Sequence, residues 1–242
     1  MIERAQQRSH FPALMDSRLA TLEHWLARQL DGAAYRLAPA SEDASFRRYF
    51  RASLADGRTF IVMDAPPPQE DCAPFVRIAQ LLREAGLHAP EVHAQDLAQG
   101  FLLLADLATT TYLEALVTGN ADALMRDAID ALVRWQLATQ PGTLPPYDEA
   151  LLQREMALFP DWYVARHLGK TLSPERQGEL QRIFALLAAS ALAQPKVYVH
   201  RDYMPRNLMV SDPNPGVLDF QDAEIGPSTY DIVCLLGHGV LT

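Results

Sequence analysis

The stretch VYVHRDYMPRNLMVSDPNPGVLDFQD, Val197 to Asp222, decides how this chain is read. It holds His200, Arg201 and Asp202 in a row, then Asn207, and then Asp219 and Phe220 after a turn. Phosphoryl transfer needs a carboxylate to orient the acceptor hydroxyl, and an amide plus a second carboxylate whose oxygens hold Mg²⁺ against the phosphates. Asp202, Asn207 and Asp219 are three such groups at workable spacing. Val197 to Val199, Leu208 to Val210 and Gly216 to Phe220 are short strand-like runs. Ser211 to Gly216 (SDPNPG) is turn chemistry throughout. The reading is a loop stiffened by Pro205, followed by a hairpin whose far strand returns Asp219 beside Asn207.

His-x-Asp-x4-Asn followed by Asp-Phe is similar to the protein-kinase signature. With Asp-Phe-Gln-Asp-Ala (219 to 223) and Gly226, Pro227, Tyr230 and Asp231 soon after, the variant looks more like the aminoglycoside phosphotransferase family of small-molecule kinases. Within it, residues 43 to 51 (DASFRRYFR), 62 to 68 (VMDAPPP) and 193 to 223 resemble the bacterial N-acetylmuramate/N-acetylglucosamine anomeric kinases. The resemblance implies an α+β, bilobal, protein-kinase-like fold with an antiparallel-sheet N-lobe over 1–105, a hinge at 106–111 and a mainly helical C-lobe over 112–242. It implies ATP and Mg²⁺ as cofactors, Asp202 as the catalytic residue, and Asn207 and Asp219 as metal ligands. It also implies an amino sugar as acceptor, phosphorylated on its anomeric hydroxyl in cell-wall recycling. The family continues for several more helices, so past Leu236 the C-lobe is expected to be incomplete, with an apolar face uncovered.

Composition bounds the alternatives. At 242 residues with 49% hydrophobic content the chain can bury roughly 70% of its unfolded surface. No apolar run is long enough to cross a membrane and the N-terminus has no apolar h-region, so a cytoplasmic protein is expected; it is also expected to be a monomer. Net charge −9 repels nucleic acid and anionic membrane. Cys72 and Cys234 have no metal spacing and read as reduced thiols. Gly169-Lys170-Thr171 is a decoy, because a Walker A loop needs glycine at position 164, where Val164 stands.

Ahead of the motif, a helix is expected from Asp16 or Ser17 to Leu30, a strand over 46–54, an Asp56-Gly57 turn and a second strand over 59–63. A helix follows over 72–85, then strands over 92–94 and 101–104. Helices are expected over 111–117, 121–139, 149–168 and 174–193. The turn at 41 to 45 carries no glycine to cover phosphates. Ser45, with Arg47 or Arg48, can take that place, or the arginines are solvated strand residues. Asp106 and Leu107 offer backbone groups to adenine.

The third-strand lysine of kinases has no counterpart, since Met63 or Asp64 occupies its position, and an arginine from the 47 to 58 hairpin is the expected substitute. His200, Arg201 and Asp231 read as bracing residues. Asp222 reads equally well as a metal neighbour or a turn cap. The competing activities are phosphorylation of an aminoglycoside or of a small alcohol such as choline or homoserine. A shortened, inactive nucleotide-binding fragment is the non-catalytic alternative.

Overall fold

The structure is a computed structural model that describes residues 12–42 and 46–237. These residues form two compact units, one of residues up to 77 with 90–107, the other of 78–89 with 108 onward.

The first unit is a five-stranded antiparallel sheet in the order β1-β2-β3-β5-β4. Its strands are β1 (Tyr35–Glu42), β2 (Arg48–Leu54), β3 (Thr59–Asp64), β4 (Val92–Asp96) and β5 (Phe101–Ala105). Strand β1 was read from the sequence only as a turn at its end. Its Pro39 and alanines hide strand character that pairing along β2, with a register shift between Pro39 and Ser41, restores. Helix α1 (Pro12–Gln29) starts about a turn earlier than Asp16, with proline in the first helical position. Its Leu22, Trp25 and Leu26 are buried with Ala52, Val62, Phe101 and Leu103. Those strand residues alternate, so α1 covers one face of the sheet.

Alternation also sorts the charged residues. Arg48 lies opposite Asp64 across β2 and β3, on the face of Ala52 and Val62 that α1 covers. Fully buried Asp64 accepts from Arg18 Nε of α1 at 2.7 Å and from Arg48 Nε at 2.9 Å. Arg51 is registered with Ile61, and Ile61 with Leu104, on the other face. Two residues past Leu104, Asp106 falls on that face too, and Arg51 reaches it in a forked pair at 2.6 and 3.1 Å.

In the second unit, capping decides the helix starts. Helix α3 (Tyr112–Thr118) opens with a reciprocal Thr111/Glu114 capping box, α4 (Ala121–Leu137) with Asn120, α5 (Glu149–Leu158) with Asp148 and α6 (Pro174–Leu192) with Ser173. Helix α2 (Ala73–Glu84) passes from the first unit into the second between Arg77 and Ile78.

The expected single helix over 149–168 is two. At Phe159 the winding widens into a π-helix, Phe159–His167. Pro160 has no N–H to give Met156 and its ring would strike that carbonyl, which widens the turn. Strand β6 (Lys196–Val199) pairs with β9 (Glu224–Pro227), which the sequence did not reveal because Gly226 and Pro227 are weak strand formers. Strand β7 (Leu208–Met209) pairs with β8 (Gly216–Val217), a shorter hairpin than expected. Helix α7 (Tyr230–Gly237) follows.

Candidate functional site

The loop after β6 is fixed from behind. Asp231, fully buried at the start of α7, accepts the N–H of His200 at 2.7 Å and of Arg201 at 3.0 Å, one on each carboxylate oxygen. Two consecutive amides held by one side chain force a sharp bend, and Arg201 sits at φ +76°, a left-handed conformation that costs a non-glycine residue about 1–2 kcal/mol. Burial pushes the Asp231 carboxyl up to about 7, while the two amide donors pull it down. The Arg201 guanidinium pairs with Glu155 of α5 at 2.6 Å and with Glu224 of β9 at 3.5 Å, which ties the bend to two further elements.

His200 is buried, and burial pushes its imidazole down to about 4, so it is neutral and Nδ1 accepts from the Asp202 N–H at 3.3 Å. It braces the loop, as its place between β6 and Asp202 led one to expect. Tyr203 anchors the next step with its hydroxyl on the Ala128 carbonyl of α4 at 2.8 Å.

The hairpin brings Asn207 and Asp219 together. The N–H of Leu218 donates to the Asn207 carbonyl at 2.9 Å, and Asn207 Nδ2 donates to the Asp202 carbonyl at 2.9 Å and to Asp219 Oδ2 at 3.3 Å. Those two bonds orient the amide and leave Oδ1 as its acceptor. Asp219, at φ +61°, accepts from Gln221 Nε2 at 2.9 Å, and Gln221 lies 3.5 Å from Asp222. Asp202 is pushed above its ordinary value mainly by burial, then by Asp219, against the pull of Arg201 and with a further push from Asp222 and Glu155.

The carboxylates therefore outnumber the cations here, and a divalent ion would offset that repulsion. One carboxylate and one amide oxygen are hard donors of the kind Mg²⁺ accepts while keeping water and phosphate oxygens on its other positions. Among the described residues no three His, Cys, Asp or Glu side chains form a cage by themselves.

The other expected site residues fall in the first unit. Ser45 lies outside the described residues. Arg47 pairs with Glu70 through Nε at 3.1 Å, and Glu70 also accepts the Phe46 N–H at 3.0 Å. From sequence, Glu70 reads as a solvated acid at the end of the helix expected over 72–85; in the structure it precedes α2 and is the carboxylate partner of Arg47. Arg48 is drawn to Asp64 under α1, and Asp106 holds Arg51, with Leu107 next to it at the unit's end.

A family model described as "Phosphotransferase enzyme family" matches residues 36–241. The chain belongs to that family. It is 62% identical over 199 residues to the N-acetylmuramate/N-acetylglucosamine kinase of Pseudomonas aeruginosa, covering 82% of this chain and 59% of that protein. To the Pseudomonas putida protein of the same name it is 58% identical over 230 residues, or 91% of this chain and 68% of that one. The chain thus spans about three fifths to two thirds of the length of these relatives. An ADP-bound aminoglycoside phosphotransferase superposes with a TM-score of 0.60 over 91% of this chain and 76% of its own, at 17% identity, which shows a shared kinase-like α+β fold. No described helix is long and apolar enough to cross a membrane.

The Asp231 fork makes a direct prediction. Asp231→Ala leaves the buried N–H of His200 and the part-buried N–H of Arg201 without this acceptor and is expected to lower stability by about 2 kcal/mol. It should also speed hydrogen exchange at the His200 and Arg201 amides at least ~10-fold relative to distant strands. Unchanged exchange at those two amides would mean that the bend does not depend on the carboxylate.

Proposed function

We propose that this chain carries the catalytic machinery of an ATP-dependent kinase that phosphorylates the anomeric hydroxyl of N-acetylmuramate or N-acetylglucosamine in the cytoplasm. The observation that carries the reading is the convergence of Asp202, Asn207 and Asp219 on one strained loop and hairpin, in a chain 58–62% identical to kinases of that name.

Asp202 orients the acceptor hydroxyl and takes its proton late in the transfer. An anomeric hydroxyl is more acidic than an ordinary alcohol, so a carboxylate suffices as base. Its raised pKa brings it closer to the pH at which proton transfer is effective. Asn207 Oδ1 and Asp219 would hold Mg²⁺, which neutralises charge on the transferring phosphoryl group when bound. His200 and Arg201 keep the loop bent.

For the nucleotide, Ser45 and Arg47 are the proposed phosphate contacts, with Asp106 and Leu107 offering backbone groups to adenine. Strand alternation favours Arg47 over Arg48. Arg48 is engaged with Asp64 on the face that α1 covers, whereas Arg47 pairs with Glu70, an Arg–Glu couple in place of the Lys–Glu couple of other kinases.

Three measurements test this reading. ADP release should depend on N-acetylmuramate or N-acetylglucosamine and not on kanamycin or choline, and Asp202→Asn should lower kcat by about 10²–10⁴-fold. Release with kanamycin alone would instead identify an aminoglycoside kinase. Arg47→Ala should raise the KM for ATP about tenfold, whereas Arg48→Ala should show its effect in the unfolding midpoint; equal effects on ATP would remove the distinction between the two arginines.

The third is a pH profile. Asp202 works ionised, so kcat/KM falls as pH drops through its raised pKa. Asp222→Asn removes a like charge and should move that acidic limb to lower pH, and a limb that stays put would belong to another group.

A further inference from the structure

The segment FPDWYVARH, Phe159–His167, is rich in rings, and its π winding sets residues four apart side by side. The Phe159 and Tyr163 rings stack with centroids 5.7 Å apart at 19°, and Tyr163 and His167 at 5.5 Å and 23°. The Arg166 guanidinium lies 4.0 Å from the centre of the Trp162 ring. Phe159, Trp162 and Tyr163 are each about half exposed. Mutually ordered rings on one helical segment offer flat apolar surface of the kind on which another ring or a C–H face packs. π-Helical turns also concentrate at functional sites.

Two observations say what the surface fits. Arg166 makes no ion pair with any carboxylate among the described residues, so its planar, stacked guanidinium is available to an anion. The π-helix is also the direct continuation of α5, whose Glu155, one turn before Phe159, grips Arg201 beside Asp202. The rings thus extend the helix that anchors the candidate catalytic loop.

A pyranose presents an apolar face of C–H bonds that stacks on aromatic rings. N-acetylmuramate differs from N-acetylglucosamine by a lactyl ether that ends in a carboxylate. Resting on the acceptor reading above, we infer that Phe159, Trp162 and Tyr163 form the sugar-recognition surface and that Arg166 pairs with the lactyl carboxylate, setting the preference between the two sugars.

The test compares kcat/KM for the two sugars in the wild-type protein, Arg166→Gln and Arg166→Lys, and follows binding of N-acetylmuramate by tryptophan fluorescence. Trp25 and Trp135 are buried, so Trp162 is the tryptophan that a sugar on this surface would report. The ratio of kcat/KM for N-acetylmuramate over N-acetylglucosamine should fall about tenfold in Arg166→Gln, the scale of one charge-assisted hydrogen bond. It should recover in part in Arg166→Lys, and N-acetylmuramate should perturb Trp162 emission.

Wild-type turnover of both sugars with an unchanged ratio in Arg166→Gln would overturn this inference and leave the acceptor reading standing. Absence of both turnover and binding in the wild type would overturn the acceptor reading, and this inference with it. Self-association abolished by Trp162→Ala, with an unchanged ratio, would assign the rings to a second copy of the chain.

Discussion

One carboxylate holding two consecutive backbone amides is the constraint on which the candidate site depends. Without Asp231 the buried N–H of His200 and the part-buried N–H of Arg201 would lose their acceptor, and with it the hold that keeps Arg201 at φ +76°. With it, the chain turns sharply after β6 and delivers Asp202, then Asn207, to one side of the β7–β8 hairpin. The strain is local, while the interactions that offset it come from α7, α5 and β9 together. This is the usual arrangement at functional sites, where surrounding structure over-determines an unfavourable backbone.

Electrostatics then separates groups that bind from groups that hold. In the first unit the three closely spaced arginines of DASFRRYFR each meet a different carboxylate, Glu70, Asp64 or Asp106. Alternation along β2 sends Arg48 to the α1 face and Arg51 to the opposite one. Asp64 lies between two guanidiniums, so the cluster keeps a positive balance although the protein carries −9 overall. In the second unit the balance is reversed: Asp219, Asp222 and Glu155 push on Asp202, against the pull of Arg201, which is itself paired with Glu155 and Glu224. Acidic excess of this kind is repulsive until a positive charge offsets it.

The aromatic π-helix shows how one residue reshapes a surface. Pro160 interrupts the hydrogen bonding that α5 would have continued, and along the wider winding Phe159, Tyr163 and His167, four apart in sequence, stack one on the next. Periodicity alone described 149–168 as one helix, since the spacing of apolar residues does not distinguish the two windings.

Sequence by itself determined which groups the candidate site brings together: the residue types at 202, 207 and 219, the turn that returns one to the other, and the helix caps are all local choices. The sheet core with α1 was legible for the same reason, since alternation and helical spacing are written in neighbouring residues. Tertiary structure decided what depends on partners far along the chain. It gave β1 and β9 their strand identity through pairing, joined Arg47 to Glu70 and Arg48 to Asp64, and set Asp231 behind a loop thirty positions away. An ion pair or a cross-strand neighbour is fixed by register and packing, and no window of sequence contains that distance.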